Sequence, residues 1–217
     1  TGDGSDEFWG GYSRFDDCPD DLGEYLKRTM VFTPTDLGLD RVPAGYLSGI
    51  SLPAEGSMSG LDRAMRLEVK NRMRNYHLAR VDKLSMDAGL EARSPFLDLA
   101  VTSLAESMPA ELKRPDGRAK GLLVDAYRDT LPQWLIERKK QPFTVPVQTW
   151  ITGSMRDFTH DLLESPNAFV RNFADPKQWL DGLQSSSPGL GCAMRVWSLL
   201  HLEVWHREFG QRMGSKP

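Results

Sequence analysis

Apolar residues recur at helical spacing through most of the chain, separated by polar or Gly/Pro-rich stretches. Leu22, Tyr25, Leu26 and Met30 follow Pro19-Asp20-Asp21, whose carboxylates suit a helix first turn, so an amphipathic helix packing on the next long one is predicted there. The strongest periodicity is Leu61, Met65, Val69, Met73 and Tyr76, continued by Leu78, Val81, Leu84 and Ala88. It predicts one long helix, or two in tandem, over 61–90. Pro95 biases Ser94 away from helical backbone, and Asp98 then stands ready to cap a helix over Leu99–Ser107. Further helices are predicted over Lys120–Leu131, with Leu122, Leu123, Ala126, Tyr127 and Thr130 inward, and over 154–164. A last one is expected over 190–209, where Trp197 and Trp205 read as core anchors. Residues 31–60 carry Pro34, Pro43 and Pro53 with poor periodicity and read as a meandering connection, and Gln184 to Gly189 as a flexible link. The chain is therefore expected to be mostly α.

One stretch stands outside this pattern. Thr1-Gly2-Asp3-Gly4-Ser5-Asp6-Glu7-Phe8-Trp9-Gly10-Gly11-Tyr12 interleaves glycines with carboxylates and hydroxyls. Glycines let a backbone approach a phosphate closely, and Asp3, Asp6 and Glu7 could supply the one or two carboxylates that Mg²⁺ takes alongside phosphate oxygens. The competing reading is a solvated Gly/Asp/Ser turn. A phosphate loop normally follows a buried strand, so the chain is expected to be a fragment whose missing N-terminal part supplies a sheet.

The basic residues extend the same theme. Lys120 falls in a predicted first turn, where a cation opposes the helix dipole and a bound anion would remove the conflict. Arg138-Lys139-Lys140-Gln141-Pro142-Phe143 concentrates cations that could neutralise a departing polyphosphate or simply form a solvated patch. Arg66, Lys70, Arg72, Arg74, Arg80 and Lys83 line the long predicted helix and carry the same pair of readings. Glu91 and Arg93 read either as a buried ion pair fixing the corner before Pro95 or as contacts to a polar ligand.

Composition narrows the field. The 217 residues, 40% hydrophobic and 26% charged with net charge −3, are an ordinary globular composition, and the acidic balance argues against nucleic-acid binding. Cys18 and Cys192 are too few for a disulfide framework or a zinc site, and the four histidines, His77 among them, lack ligand-like partners nearby in sequence. No apolar run approaches the ~18 residues of a membrane span, and no signal peptide is recognisable, so no membrane role and a cytoplasmic location are expected.

Taken together, the residues at 1–12, Arg80-Val81-Asp82-Lys83-Leu84-Ser85-Met86, Leu90-Glu91-Ala92-Arg93-Ser94-Pro95-Phe96-Leu97-Asp98, Lys120-x-Leu122-Leu123 and Arg138 to Phe143 with Pro146 and Trp150 resemble the glutamine-hydrolysing asparagine synthetase family. The likeness runs to the closing Trp197 and Leu202-Glu203-Val204-Trp205. Five ordered motifs are specific where any one would be weak. The resemblance implies that 1–217 is the C-terminal, helical part of an α/β synthetase domain of the adenine nucleotide alpha hydrolase-like, PP-loop type. It implies an ATP- and Mg²⁺-dependent adenylation of aspartate, then attack by glutamine-derived ammonia, releasing AMP and pyrophosphate. Thr1, Gly2 and Gly4 fall on the family's ATP-contacting loop, Asp3 on the position serving the acyl-adenylate, and Asp6 on a magnesium-binding carboxylate. Lys120 falls on a lysine near the phosphates and Lys140 on the lysine that stabilises the adenylation transition state.

The departures bear on the acceptor. Position 3 is Asp where several relatives have Glu and β-lactam-forming relatives have Tyr, Asn75-Tyr76 replace a frequent acidic pair, and Val124 replaces a usual Arg. The family's Ser-Gly-Gly-x-Asp-Ser loop and N-terminal nucleophilic cysteine do not occur in these residues, so the polypeptide alone is expected neither to hydrolyse glutamine nor to turn over ATP. An amide synthetase of secondary metabolism, a lasso-peptide-type cyclase and a non-catalytic helical interaction module stand as alternatives. The oligomeric state stays open, with a full-length homodimer one candidate.

Overall fold

Capping side chains set where several helices begin. Asp21 Oδ1 accepts from the Glu24 amide at 2.7 Å and starts α2, Leu22–Thr29. Ser59 caps α3, Gly60–Leu67, by accepting from the Asp62 amide at 3.2 Å. Asp98 accepts from the Ala100 amide at 2.8 Å and opens α5, Leu99–Ser107, as its sequence position predicts. In this computed structural model the described residues are 1–33, 35–37, 58–138, 140, 145–184 and 190–210; the expected connection over 31–60 and the link over 184–189 lie largely outside them, as do Lys139 and Gln141–Phe143.

The described residues are helical and include no strand. They form two compact units. The first holds Thr1–Thr29 and the described residues of Pro43–Lys140. It opens with α1, Ser5–Trp9, so part of the expected glycine-rich loop is a helical turn, bounded by Gly4 and Gly10 at φ 89° and 68°. Such left-handed backbone is where glycine is required. One core groups Phe15, Leu22, Tyr25, Ala64, Met65, Leu67 and Ala110, so α2 does pack on α3. A second sets Phe8 and Trp9 of α1 against Met73 and Ala105. Burying each large side chain of these clusters contributes about 1.5–3 kcal/mol.

The predicted helix over 61–90 is one continuous helical run, but its middle is not α-helical. Between α3 and α4, Leu78–Asp87, residues Glu68–His77 wind as a π-helix. Nine residues make two and a half turns of α-helix and would set Glu68 and His77 on opposite sides. The wider i→i+5 winding makes nine residues about two turns and puts both on the side facing α1 and its flank. The same rotation displaces the expected apolar face: Tyr76 is exposed, Leu84 is 66% exposed, and α4 buries nothing.

Other expectations are revised. The helix predicted over Lys120–Leu131 is the short α7, Gly121–Ala126, after α6, Ala110–Lys113; Ala126, Tyr127 and Thr130 are exposed. A short α8, Gln133–Glu137, was not predicted. Glu91 and Arg93 do pair, at 3.0 Å, but at 70% and 82% exposure they are a surface pair, not a buried one.

The second unit holds the described residues of Met30–Val42 and Gln141–Pro217. Its core joins α9, Val147–Thr152, α10, Arg156–Glu164, α11, Lys177–Leu183, and α12, Leu190–Trp205. Val147, Ile151, Leu163, Leu180, Val196 and Leu200 are buried there. The chain had pointed to α10 and α12 only: Pro146 disguised α9, and the single turn or two of α11 is too short for periodicity to register. Trp197 packs against the core, whereas Trp205 is 46% exposed and anchors nothing buried. Buried Glu203 accepts from the Val170 amide at 3.2 Å and from Arg207 at 2.7 Å, tying the Phe169–Asn172 turn to α12.

Candidate active site

Three predicted residues of the first unit converge on one atom. Asp6 Oδ1 accepts from Lys140 Nζ at 2.7 Å and pairs with Lys120 Nζ at 2.9 Å. The short α1 directs Asp6 outward while Phe8 and Trp9 go into the core. Gly11 leaves the room: a Cβ there would overlap Asp6 Oδ1 and Lys120 Cε. Lys120 is not in a helix first turn, as its sequence position suggested. It is the N-cap residue before α7, in left-handed backbone at φ 54°, and its side chain meets Asp6 and Ser5 Oγ, 2.9 Å away. A non-glycine residue held there is strained by about 1–2 kcal/mol, as is common where a side chain is positioned for function.

The charges do not balance. Two ammonium groups face one carboxylate, leaving a net positive site. Burial alone would raise the Asp6 carboxyl, but hydrogen bonds and attraction from Lys140 and Lys120 outweigh it and hold the group below its ordinary range. Lys140 also donates to the Gly11 carbonyl at 2.8 Å and lies 4.8 Å from the Tyr12 ring centroid, within cation–π range.

Behind this surface runs a buried polar layer, and Glu7, a candidate magnesium carboxylate by sequence, belongs to it instead. Glu7, 3% exposed, accepts from the Tyr12 hydroxyl at 2.5 Å, and its Oε1 lies 3.8 Å from His77 Nε2. His77, isolated in sequence, thus has a carboxylate neighbour delivered by the π-helix. Burial lowers its pKa; Glu7 opposes that shift and the nearby Arg72 and Arg80 add to it. Burial and the Glu7 bond drive the Tyr12 hydroxyl far above its ordinary pKa, so it remains a donor. Glu68 accepts from Tyr25 at 2.6 Å and from Arg14 at 3.2 Å, and Arg14 lies 4.1 Å from the Tyr12 ring centroid.

The other predicted residues are placed nearby by sequence but play different parts. Thr1 and Gly2 are exposed; the Thr1 nitrogen donates to the Arg93 carbonyl at 2.6 Å, and the Gly2 carbonyl accepts from Ser5 Oγ at 2.8 Å. A Cβ at Gly4 would strike Leu97. The Asp3 carbonyl accepts from the Ser94 hydroxyl, while its carboxylate has no ion-pair partner among the described residues. Thr1 and Asp3 thus both bond to the Arg93-Ser94 corner, a pairing no spacing could have announced. The helix-borne cations Arg66, Lys70, Arg72, Arg74, Arg80 and Lys83 are all exposed. Among the described residues no group of three His, Cys, Asp or Glu is arranged to hold a metal by protein ligands alone, and no helix is long and apolar enough to cross a membrane.

Comparison with known proteins agrees with the motif order. The family model described as asparagine synthase matches residues 1–207. Asparagine synthetase (glutamine-hydrolyzing) 1 of Bacillus subtilis strain 168 is 27% identical over 152 residues, covering 69% of this chain and 24% of that protein. Asparagine synthetase (glutamine-hydrolyzing) 3 of the same strain is 28% identical over 229 residues, covering 96% of this chain and 37% of that protein. Asparagine synthetase (glutamine-hydrolyzing) of Gallus gallus is 30% identical over 134 residues, covering 57% of this chain and 23% of that protein. The matches thus span 23–37% of the length of these relatives. No solved structure matches it.

Proposed function

The chain belongs to the asparagine synthase family, and from that premise we propose that it forms the helical, C-terminal half of an ATP-dependent amide-forming site. The reaction is adenylation of the aspartate side-chain carboxylate, followed by amidation with ammonia from glutamine, with AMP and pyrophosphate as by-products. The rest of the PP-loop-type domain supplies the nucleotide-binding sheet. The observation that carries this reading is the convergence of Lys120 and Lys140 on Asp6 Oδ1, from positions far apart in sequence.

Each group has a task in that chemistry. Adenylation makes a leaving group of pyrophosphate, whose growing negative charge needs cations already in place. Lys120, fixed by Ser5 and its strained backbone, holds the phosphates at rest. Lys140, more exposed at its side chain (41% against 28%), reaches toward the reacting centre and stabilises the transition state. Thr1 and Gly2 present backbone to ATP, while buried Gly4 makes the left-handed turn into α1. Asp3, with no ion-pair partner among the described residues, is available to the acyl-adenylate side of the site.

Asp6 fits a divalent cation. Its carboxyl is held in the ionised form, and Mg²⁺ favours one or two carboxylates completed by phosphate oxygens and water, the mode suited to a site with no protein metal cage among the described residues. When bound, Mg²⁺ would offset phosphate charge. The test is product identification with the full-length gene product given ATP, Mg²⁺, aspartate and glutamine. AMP and asparagine formed in equal amounts support the reading; ADP and orthophosphate, or AMP formation indifferent to aspartate, contradict it.

A further inference from the structure

Two ammonium nitrogens occupy one oxygen of the carboxylate that a divalent cation would use. A carboxylate oxygen has two lone pairs, and Lys140 at 2.7 Å and Lys120 at 2.9 Å claim both on Asp6 Oδ1. That oxygen also lies against the Gly11 Cα, where even a methyl group would overlap it, so it cannot withdraw toward Gly11. A cation on either Asp6 oxygen would moreover stand a few ångströms from two like charges. A cation on Asp6 would therefore have to use Oδ2, where its repulsion weakens the hold on the two ammonium groups at Oδ1.

The two lysines are held unequally. Lys120 has a second side-chain partner in Ser5 Oγ, and its Cε lies beside the Gly11 Cα. Lys140 also keeps neutral holders, the Gly11 carbonyl at 2.8 Å and the Tyr12 ring at 4.8 Å, but its side chain is the more exposed, 41% against 28%, and has the freer path off Asp6. Tyr12 is itself fixed, with its hydroxyl on buried Glu7 and Arg14 4.1 Å from its ring centroid.

We propose that Lys140 is a latched residue: Asp6 holds it when no divalent cation is present and releases it when the cation binds, while Gly11 and Tyr12 keep the freed ammonium beside the site. The latch couples metal binding to delivery of the lysine, so that the transition-state cation becomes available only after the metal has arrived. This rests on the reading of Asp6 as the cation's ligand.

The test needs no turnover, and a non-hydrolysable ATP analogue is present throughout to supply the phosphate oxygens that complete the cation's shell. Lysines of the full-length gene product are pulse-acetylated with and without Mg²⁺, and the extent at Lys120 and Lys140 is measured by fragment-ion mass spectrometry, with Mg²⁺ binding followed by calorimetry. Mg²⁺ should raise acetylation of Lys140 roughly five- to tenfold, as for loss of one charge-assisted bond, and leave Lys120 within about twofold. Asp6→Asn should show high Lys140 reactivity that Mg²⁺ no longer changes, and Tyr12→Leu should raise it further in the presence of Mg²⁺. Mg²⁺ binding with Lys140 unchanged, or with Lys120 released instead, would overturn the latch and leave the cation site standing. Absence of Mg²⁺ binding would overturn both.

Discussion

Lys140 Nζ donates to Asp6 Oδ1 at 2.7 Å across 134 positions of sequence, in a group whose side chain is 41% exposed. An ion pair so open to solvent is worth about 0–1 kcal/mol to folding. Lys140→Ala should therefore leave the unfolding midpoint nearly unchanged while slowing aspartate-dependent pyrophosphate release by ~10²-fold or more, as for removal of a transition-state donor. Parallel urea titrations and pyrophosphate assays of the full-length gene product check both halves. An unaltered rate would make Lys140 a solvated surface residue.

Gly11 is a packing requirement of the site. Gly11→Ala places a Cβ into Asp6 Oδ1 and Lys120 Cε, so the pair must part or the backbone must shift. A loss of about 1–3 kcal/mol in chemical unfolding is expected, with activity falling alongside. Wild-type stability and activity in this variant would show that the Asp6–Lys120 pair is not held against Gly11.

His77 gives the fold an acid-sensitive point. Its folded pKa is lowered by burial, against Glu7 and together with Arg72 and Arg80, with Asp3 a weaker opposing charge. The unfolded state therefore binds the proton more readily, and stability from this group is complete above the ordinary value of ~6.5 and lost as pH falls toward the folded pKa. The slope is at most about 1.4 kcal/mol per pH unit. Unfolding free energies measured between pH 7.5 and about 5 should fall in the wild type and fall less in His77→Gln. Parallel curves would remove His77 as the source.

In the second unit, Glu203 is buried with two partners, the Val170 amide and Arg207, whereas Arg207 is 40% exposed. Glu203→Ala orphans a buried amide and should cost about 1–3 kcal/mol, while Arg207→Ala strands the buried Glu203 carboxylate without its charge partner and should cost about 3–5 kcal/mol. Denaturant curves of both variants decide this, and a smaller loss in Arg207→Ala than in Glu203→Ala would contradict the stranding of the carboxylate.

How much of this could be read from the chain differs by kind of feature. Caps were legible: Asp98 and the acidic start of α2 act locally, and their side chains reach amides two or three residues on. The candidate site residues were legible as types, because Asp6, Lys120 and Lys140 sit in motifs with a recognisable order. Their convergence on one oxygen was not, since it depends on Lys120 taking left-handed backbone and on the space above Gly11. The π-helix escaped because Val69, Met73 and Tyr76 keep α-helical spacing while the backbone winds wider. That winding turned Tyr76 outward and brought His77, which looked alone, to Glu7.

On the proposed function, Asp6 gathers the charge needed to make and break a carboxylate–adenylate bond. Return of labelled pyrophosphate into ATP by the full-length gene product, with and without aspartate, measures that step apart from ammonia supply. Aspartate-dependent exchange in the wild type, falling by ~10²-fold or more in Asp6→Asn, is the expected result. Exchange that ignores aspartate, or that survives Asp6→Asn undiminished, would contradict it.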